Sequence, residues 1–379
     1  MGSGDRADAG VLCAGAGARL IQEAGGRAVL YFSIVCGFSA LRAEKPHTRR
    51  SASTMLPHIL VIAFGEEAAM DDSFLAVHIQ EYLDALDAKT AFFAKHLVST
   101  KTIAIRADDP VNTLSVIKIA IMVLAYRDAE AGTLDLDQRY QIRDEDLRRG
   151  SGVLQTFAPG LQPTYRDLIT QMIITSDNTA TDILIARLGL ARVNAMLAAL
   201  GYTKTRLQTT IGQLFRRVWE RLDPANSSLS DRAVYERDFP SDPDAAARRL
   251  AFEGDSREWL GCTTAREISR LLEQIHNGEI ASRASSDAML AILQQQLYES
   301  RLPQRIAFRA TIAHKTGDWS PIAGHDVGII SSASGPIVVA VFVSQNRGDF
   351  FEVEATHGRI AEAILDAWGE LEGQQRESI

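Results

Sequence analysis

Cysteine is scarce in this chain of 379 residues: Cys13, Cys36 and Cys262 stand far apart. They offer neither a metal-ligand spacing nor a disulfide framework, so cysteine usage does not reveal the compartment. Positive charge is also short. The formal net charge is −8, the wrong sign for a general nucleic-acid binder, which must neutralise phosphates. Apolar runs stop short of the roughly 20 residues that a membrane-spanning helix needs. No internal repeat is evident. The expectations are no metal, no cofactor, no nucleic-acid partner, no integral membrane segment, and a monomer acting on a small molecule.

Residues 1–70 are rich in Gly, Ala and Arg without a sustained period, and read as a disordered or targeting extension. Within them Ala28 to Leu41 is apolar, with Arg19 and Arg27 before it. That resembles a signal-peptide core, although it begins far from Met1, and it gives an expectation of a periplasmic or secreted protein. Residues 71–379 form the expected folded domain. Deleting the chain up to about Asp71 should therefore leave folding and activity intact. A large drop in melting temperature on that deletion would show that the extension is structural.

Helical spacing is evident over Ser73 to Leu86, Thr164 to Thr175, Asp182 to Leu188, Arg192 to Leu200, Ala265 to His276, Ser286 to Gln296 and Glu352 to Leu371. Thr164 with Asp167 makes a capping-box pattern. Thr90 to Leu97 and Thr102 to Ile105 read as strands joined at Ser99-Thr100. Phe308 to His314, Asp326 to Ser331 and Ile337 to Ser344 read as three more, with Ser334-Gly335 turning between the last two. Strands at both ends with helices between them predict an α/β (α+β) domain. Its five-stranded antiparallel sheet would be flanked by a mainly helical region. Residues 208–258 read as a long, partly helical excursion.

Three short motifs carry the chemistry. Val111 to Ala129 reads as one helix buried on nearly all sides, and Ser115 and Lys118 lie one turn apart on it. A buried lysine tends to lose its proton, and a neutral lysine beside a serine hydroxyl is a base beside a nucleophile. Ser176-Asp177-Asn178 interrupts two helical stretches, and Lys315-Thr316-Gly317 ends an expected strand. Taken singly, each is bland: a snorkelling lysine, a helix cap, a strand end leading to a turn. In this order and these settings they make the S-x-x-K, S-D-N, K-T-G set of class A β-lactamases and penicillin-binding proteins.

From about Ser73 to Trp368 the chain resembles the class A β-lactamase and penicillin-recognising serine hydrolase family. The resemblance is carried by these motifs, the hairpin before Ser115, Thr175 to Ala180, the Thr263-Thr264 helix start, Arg301-Leu302-Pro303 and Asp326 to Ile330. It implies a β-lactamase-like fold with Ser115, Lys118, Ser176 and Lys315 as catalytic residues. Ser115 would attack a carbonyl, and its own N–H with that of Asp318 would hold the oxyanion. Lys118 would take the Ser115 proton, and Ser176 would pass a proton to the leaving nitrogen. Lys315 would supply a positive field, and Thr316 of the Thr316-Gly317 pair would bond a substrate carboxylate. Asn178 would hold the substrate's amide side chain, while Asp177 supports the loop.

The chain also departs from the family. No E-x-x-L-N occurs, and the stretch where its glutamate is expected, Leu207 to Leu214, has no carboxylate. Glu220 is the nearest imitation, at the wrong spacing, and reads as a surface carboxylate on a helix. The segment between S-D-N and K-T-G is long. A position often aromatic at the pocket mouth falls near Gly150-Ser151, Met122 stands where a helix-linking cysteine is expected, and His314 precedes Lys315. The leading expectation is β-lactam hydrolysis through an acyl-enzyme. The alternatives are a penicillin-binding D-Ala peptidase or esterase-type hydrolase, and a sensor that acylates once.

Overall fold

The computed structural model describes residues 72–230, 233, 234, 237 and 244–369. The expectations for residues 1–70, and part of the excursion 208–258, lie outside the described residues. The chain order is α1 (Asp72–Asp84), β1 (Lys89–His96), β2 (Thr102–Ile105), β3 (Val111–Asn112), a 3₁₀ turn (Leu114–Ile117) and α2 (Lys118–Glu130). Then come α3 (Tyr165–Ile174), α4 (Asn178–Leu188), α5 (Leu190–Ala199), β4 (Arg206–Leu207), α6 (Ile211–Leu222) and α7 (Ala245–Gly254). The C-terminal part holds β5 (Gly261–Thr263), α8 (Ala265–Asn277), α9 (Arg283–Leu293), β6 (Thr311–Trp319), β7 (Ala323–Ser332), β8 (Gly335–Ser344) and α10 (Phe350–Trp368).

The expected five-stranded antiparallel sheet is present, in the order β2-β1-β8-β7-β6. Its N-terminal and C-terminal strands join where β1 pairs with β8, Phe92 opposite Val341. Strand β8 is apolar almost throughout because both its faces are covered. Val339, Val341 and Val343 pack with α1 and α10, while Val338, Ala340 and Phe342 face the helical region. This is the period of two of a strand expressed on both faces at once. Helix α2 forms the centre of the helical region, with Ile119, Ile121, Met122 and Val123 fully buried. Burying each of these large aliphatic chains contributes about 1.5–3 kcal/mol relative to exposure.

Several boundaries differ from the sequence reading, among them the helix start at Asn178 instead of Asp182 and the strand start at Thr311 instead of Phe308, and two further differences place the site. Val111 to Ala129 is not one helix. Asn112 pairs with Cys262 in a short second sheet, β3-β5-β4, that periodicity over two or three residues does not reveal. Leu114 then takes a left-handed φ of 43°, so Ser115 rides the 3₁₀ turn and Lys118 is the first residue of α2. Lys315-Thr316-Gly317 does not end a strand but lies inside β6, which runs on to Trp319 paired with Ala323. The glycine and charged residues of that run weaken the apolar signal, while the ladder to β7 supplies the hydrogen bonds. Helix α9 starts at Arg283, three residues before expected, because Ser282 caps it through the Ser285 N–H.

Candidate active site

The S-x-x-K turn is built by local bonds and one strained residue. Asn112 Oδ1 accepts the Leu114 N–H at 3.2 Å. Thr113 N–H donates to the Gly261 carbonyl at 2.9 Å. A bulky residue at positive φ, like Leu114, costs on the order of 1–3 kcal/mol and persists only where its surroundings impose it. The S-D-N connection carries a second such residue, Ser176 at φ 55°. Asp177 fixes this connection: its carboxylate caps α4 through the Ala180 N–H at 2.9 Å and accepts the Leu154 N–H at 2.8 Å. Asp177 is thus a loop-supporting residue, as expected.

Lys118 joins the two motifs. It is fully buried, and its Nζ donates to the Ser176 carbonyl at 2.6 Å, to Asn178 Oδ1 at 2.9 Å and to Ser176 Oγ at 3.2 Å. Burial lowers its pKa to about 7, against the opposing pull of Asp177 and Asp182. At neutral pH a large share of Lys118 therefore carries a lone pair. Ser115 is half-buried and is not among the partners of Nζ. The lysine's hydrogen bonds run to Ser176 and Asn178, while Ser115 rides the 3₁₀ turn three residues before it.

Strand β6 closes the site from the other side. A methyl group on Gly317 would fall 3.0 Å from the Thr113 carbonyl oxygen and 3.3 Å from Leu114 Cβ. Gly317 is thus required for strand β6 to approach the Ser115 turn this closely. Lys315 is fully buried, with Nζ donating to the Thr316 carbonyl at 2.8 Å. Its pKa is lowered well below the ordinary value, first by burial and then by the Lys118 charge. The repulsion between the two ammonium groups thus presses on Lys315. Thr316 is buried beside it, while Asp318 is exposed. The structure brings together Ser115, Lys118, Ser176, Asn178 and the Lys315-to-Asp318 segment. Among the described residues, no cluster of metal-binding side chains exists, and no helix is long and apolar enough to cross a membrane.

Around the site the structure adds Asp182 and defines the partners of residues already named. Asn178 is engaged at both ends of its amide, by Lys118 at Oδ1 and by the Arg149 carbonyl, to which Nδ2 donates at 2.9 Å. Asp182, one helical turn after Asn178, accepts from Arg148 Nε at 2.7 Å and from the Ile211 and Gly212 N–H groups at 2.7 and 2.8 Å. It ties the start of α6 to α4. The i, i+4 spacing from Asn178 was the available signal. Arg301, buried, donates to the carbonyls of Gly317 and His325 and to the Asp318 carboxylate, bracing β6 from behind. His314 is buried and bonded through Nδ1 to Asp326 at 2.9 Å, a structural role. Glu220 bonds Arg216 one turn earlier at 2.6 Å.

The sequence model described as the Beta-lactamase enzyme family matches residues 74–368. Beta-lactamase L2 of Stenotrophomonas maltophilia is 24% identical over 325 residues, covering 83% of this chain and 95% of that protein. A solved β-lactamase structure from Sphaerobacter thermophilus superposes with TM-score 0.63 at 27% identity, over 79% of this chain and 98% of that one. The structure of PBP-A superposes with TM-score 0.62 at 23% identity, over 78% of this chain and 96% of that one. This last likeness is one of fold alone.

Proposed function

The chain belongs to the β-lactamase enzyme family, and from that premise we propose that it is a serine hydrolase opening the β-lactam amide through an acyl-enzyme on Ser115. The observation that carries the reading is the buried, near-neutral Lys118 held between Ser176 and Asn178. In the proposed sequence Ser115 Oγ attacks the lactam carbonyl while its proton passes to Lys118. The C–N bond then breaks, and the proton reaches the leaving nitrogen by way of Ser176. The Ser115 and Asp318 N–H groups receive the oxyanion. An arriving carboxylate raises the proton affinity of Lys315, so its ammonium forms with the substrate in place and Thr316 completes the contact. The apolar stretch Ala28 to Leu41 supports export as part of this proposal.

Release of the acyl group is where the chain stands apart. A water must be held and deprotonated, and Gln208 to Leu214 offers only glutamine and threonine side chains for polar work. Three of these are occupied: Gln208 Nε2 donates to the Ser256 carbonyl, and Thr209 Oγ1 donates to Gln213 Oε1. Acylation should therefore outrun deacylation. Stopped-flow kinetics with a chromogenic cephalosporin is expected to show a burst near one equivalent followed by slow turnover. This slow release is also what favours the second reading, a penicillin-binding peptidase or esterase that turns over another amide or ester faster. Fast linear turnover without a burst, collapsing in Glu220→Gln, would overturn both and make Glu220 the base.

A further inference from the structure

The last carbonyls of a helix find no partners within it. At the end of α3 they are met from outside, by the chain that follows α9. Gln296 Nε2 donates to the Ile173 carbonyl at 2.9 Å. The Leu297 N–H donates to the Ile174 carbonyl at 3.1 Å. The Tyr298 hydroxyl donates to the Thr175 carbonyl at 3.1 Å. Three consecutive residues thus serve three consecutive carbonyls, and the residue that follows those carbonyls is Ser176. The strap is braced internally, because Gln296 Oε1 accepts the N–H groups of Leu297 and Tyr298 at 3.0 and 3.3 Å. On the other flank of Ser176, the Asp177 N–H turns back to the Gln171 carbonyl at 3.0 Å.

Ser176 is held at φ 55° between these anchors. A left-handed serine relaxes unless the peptides on both sides of it are fixed. The peptide before Ser176 is the plane that carries the Thr175 carbonyl, so the Tyr298 hydroxyl holds the plane from which Ser176 departs. The peptide after it is held by Lys118 Nζ, which donates to the Ser176 carbonyl at 2.6 Å. Tyr298 keeps its proton for this bond: burial, then the charges of Asp318 and Asp177, raise its pKa. We infer that Tyr298 is a positioning residue for the Ser176 hydroxyl, fixing the peptide on which the proton relay to the leaving nitrogen turns. This deepens the reading of an acyl-enzyme on Ser115 and rests on it. The Tyr298 hydroxyl is spent on the Thr175 carbonyl, so it acts through Ser176. Its loss slows the step that breaks the C–N bond and leaves substrate affinity in place.

The test is a double-mutant cycle on the full chain, read as the rate of Ser115 acylation by benzylpenicillin in intact-protein mass spectrometry. Tyr298→Phe keeps the ring and removes the hydroxyl. It should lower the limiting acylation rate about tenfold, the size of one lost hydrogen bond, with the half-saturating concentration within about twofold of wild type. Ser176→Ala should lower the rate by about two orders of magnitude. Adding Tyr298→Phe to Ser176→Ala should then cost no more than about twofold, because the hydroxyl it positions is gone. If Tyr298→Phe fails to fold, Gln296→Leu carries the same cycle, with about a threefold loss alone and none beyond Ser176→Ala. An unchanged rate in Tyr298→Phe, or a loss that persists in full beside Ser176→Ala, would make Tyr298 a structural residue and overturn the inference with the acyl-enzyme standing. Absence of labelling by benzylpenicillin in wild type would overturn both.

Discussion

Ser115→Ala is expected to abolish covalent labelling by a fluorescent penicillin and to cut turnover on the order of a millionfold, as when the nucleophile of a serine hydrolase is removed. The size follows from the position of the residue. Ser115 is half-buried at the start of the turn that feeds α2, with Gly317 drawn against the preceding two residues and Lys118 buried behind it. Ser176 is the only other serine of the three motifs, and it is 3% exposed with its hydroxyl on Lys118. It is placed to relay a proton and is poorly placed to meet a carbonyl. Alanine at 115 removes one oxygen from a half-buried position, so the melting temperature should stay within a degree or two. Gel fluorescence with peptide mapping reads the outcome. Labelling that persists in Ser115→Ala would assign the nucleophile elsewhere and sink the mechanism.

The motifs were legible because each is a run of contiguous residues whose chemistry does not depend on the surrounding register. The strands of the sheet were legible for a different reason. Val338 to Val343 is apolar on both faces, and such a run has few alternatives. What periodicity missed were features held by single long-range bonds. Asn112 belongs to a strand only through Cys262, and this pairing displaces Ser115 from the helix that its spacing implied. Arg301 belongs to the site through the carbonyls of Gly317 and His325 and the Asp318 carboxylate. Asp182 does so through two N–H groups some thirty residues on. The excursion 208–258 reads as polar because α6 and α7 are solvent-facing on one side. The stripe Leu214, Val218 and Leu222 buries against Phe252 and Trp319, with Leu214 also on the main core, and no local window contains these partners.

Lys118→Arg should lose acylation by about two to four orders of magnitude, the usual size of a general-base contribution. Lysine at this site is a base because burial lowers its pKa to about 7. A guanidinium keeps its proton under the same burial and has no lone pair to offer. The pH dependence carries the sign. The neutral form is the active one, so the wild-type acylation rate should rise with pH to an inflection near 7 and then level. The arginine variant should show no such inflection. Stability runs with the same proton. Between the folded pKa near 7 and the ordinary lysine value of 10.5, the unfolded chain binds more protons than the folded one. The cost of burying Lys118 is thus felt in full below pH 7 and falls as pH rises through that window. Lys118→Met should accordingly be inactive yet melt higher than wild type at pH 7, which separates loss of the base from loss of the fold. Near wild-type acylation by Lys118→Arg, with the inflection unmoved, would make Lys118 an electrostatic residue and send the search for the base to Lys315.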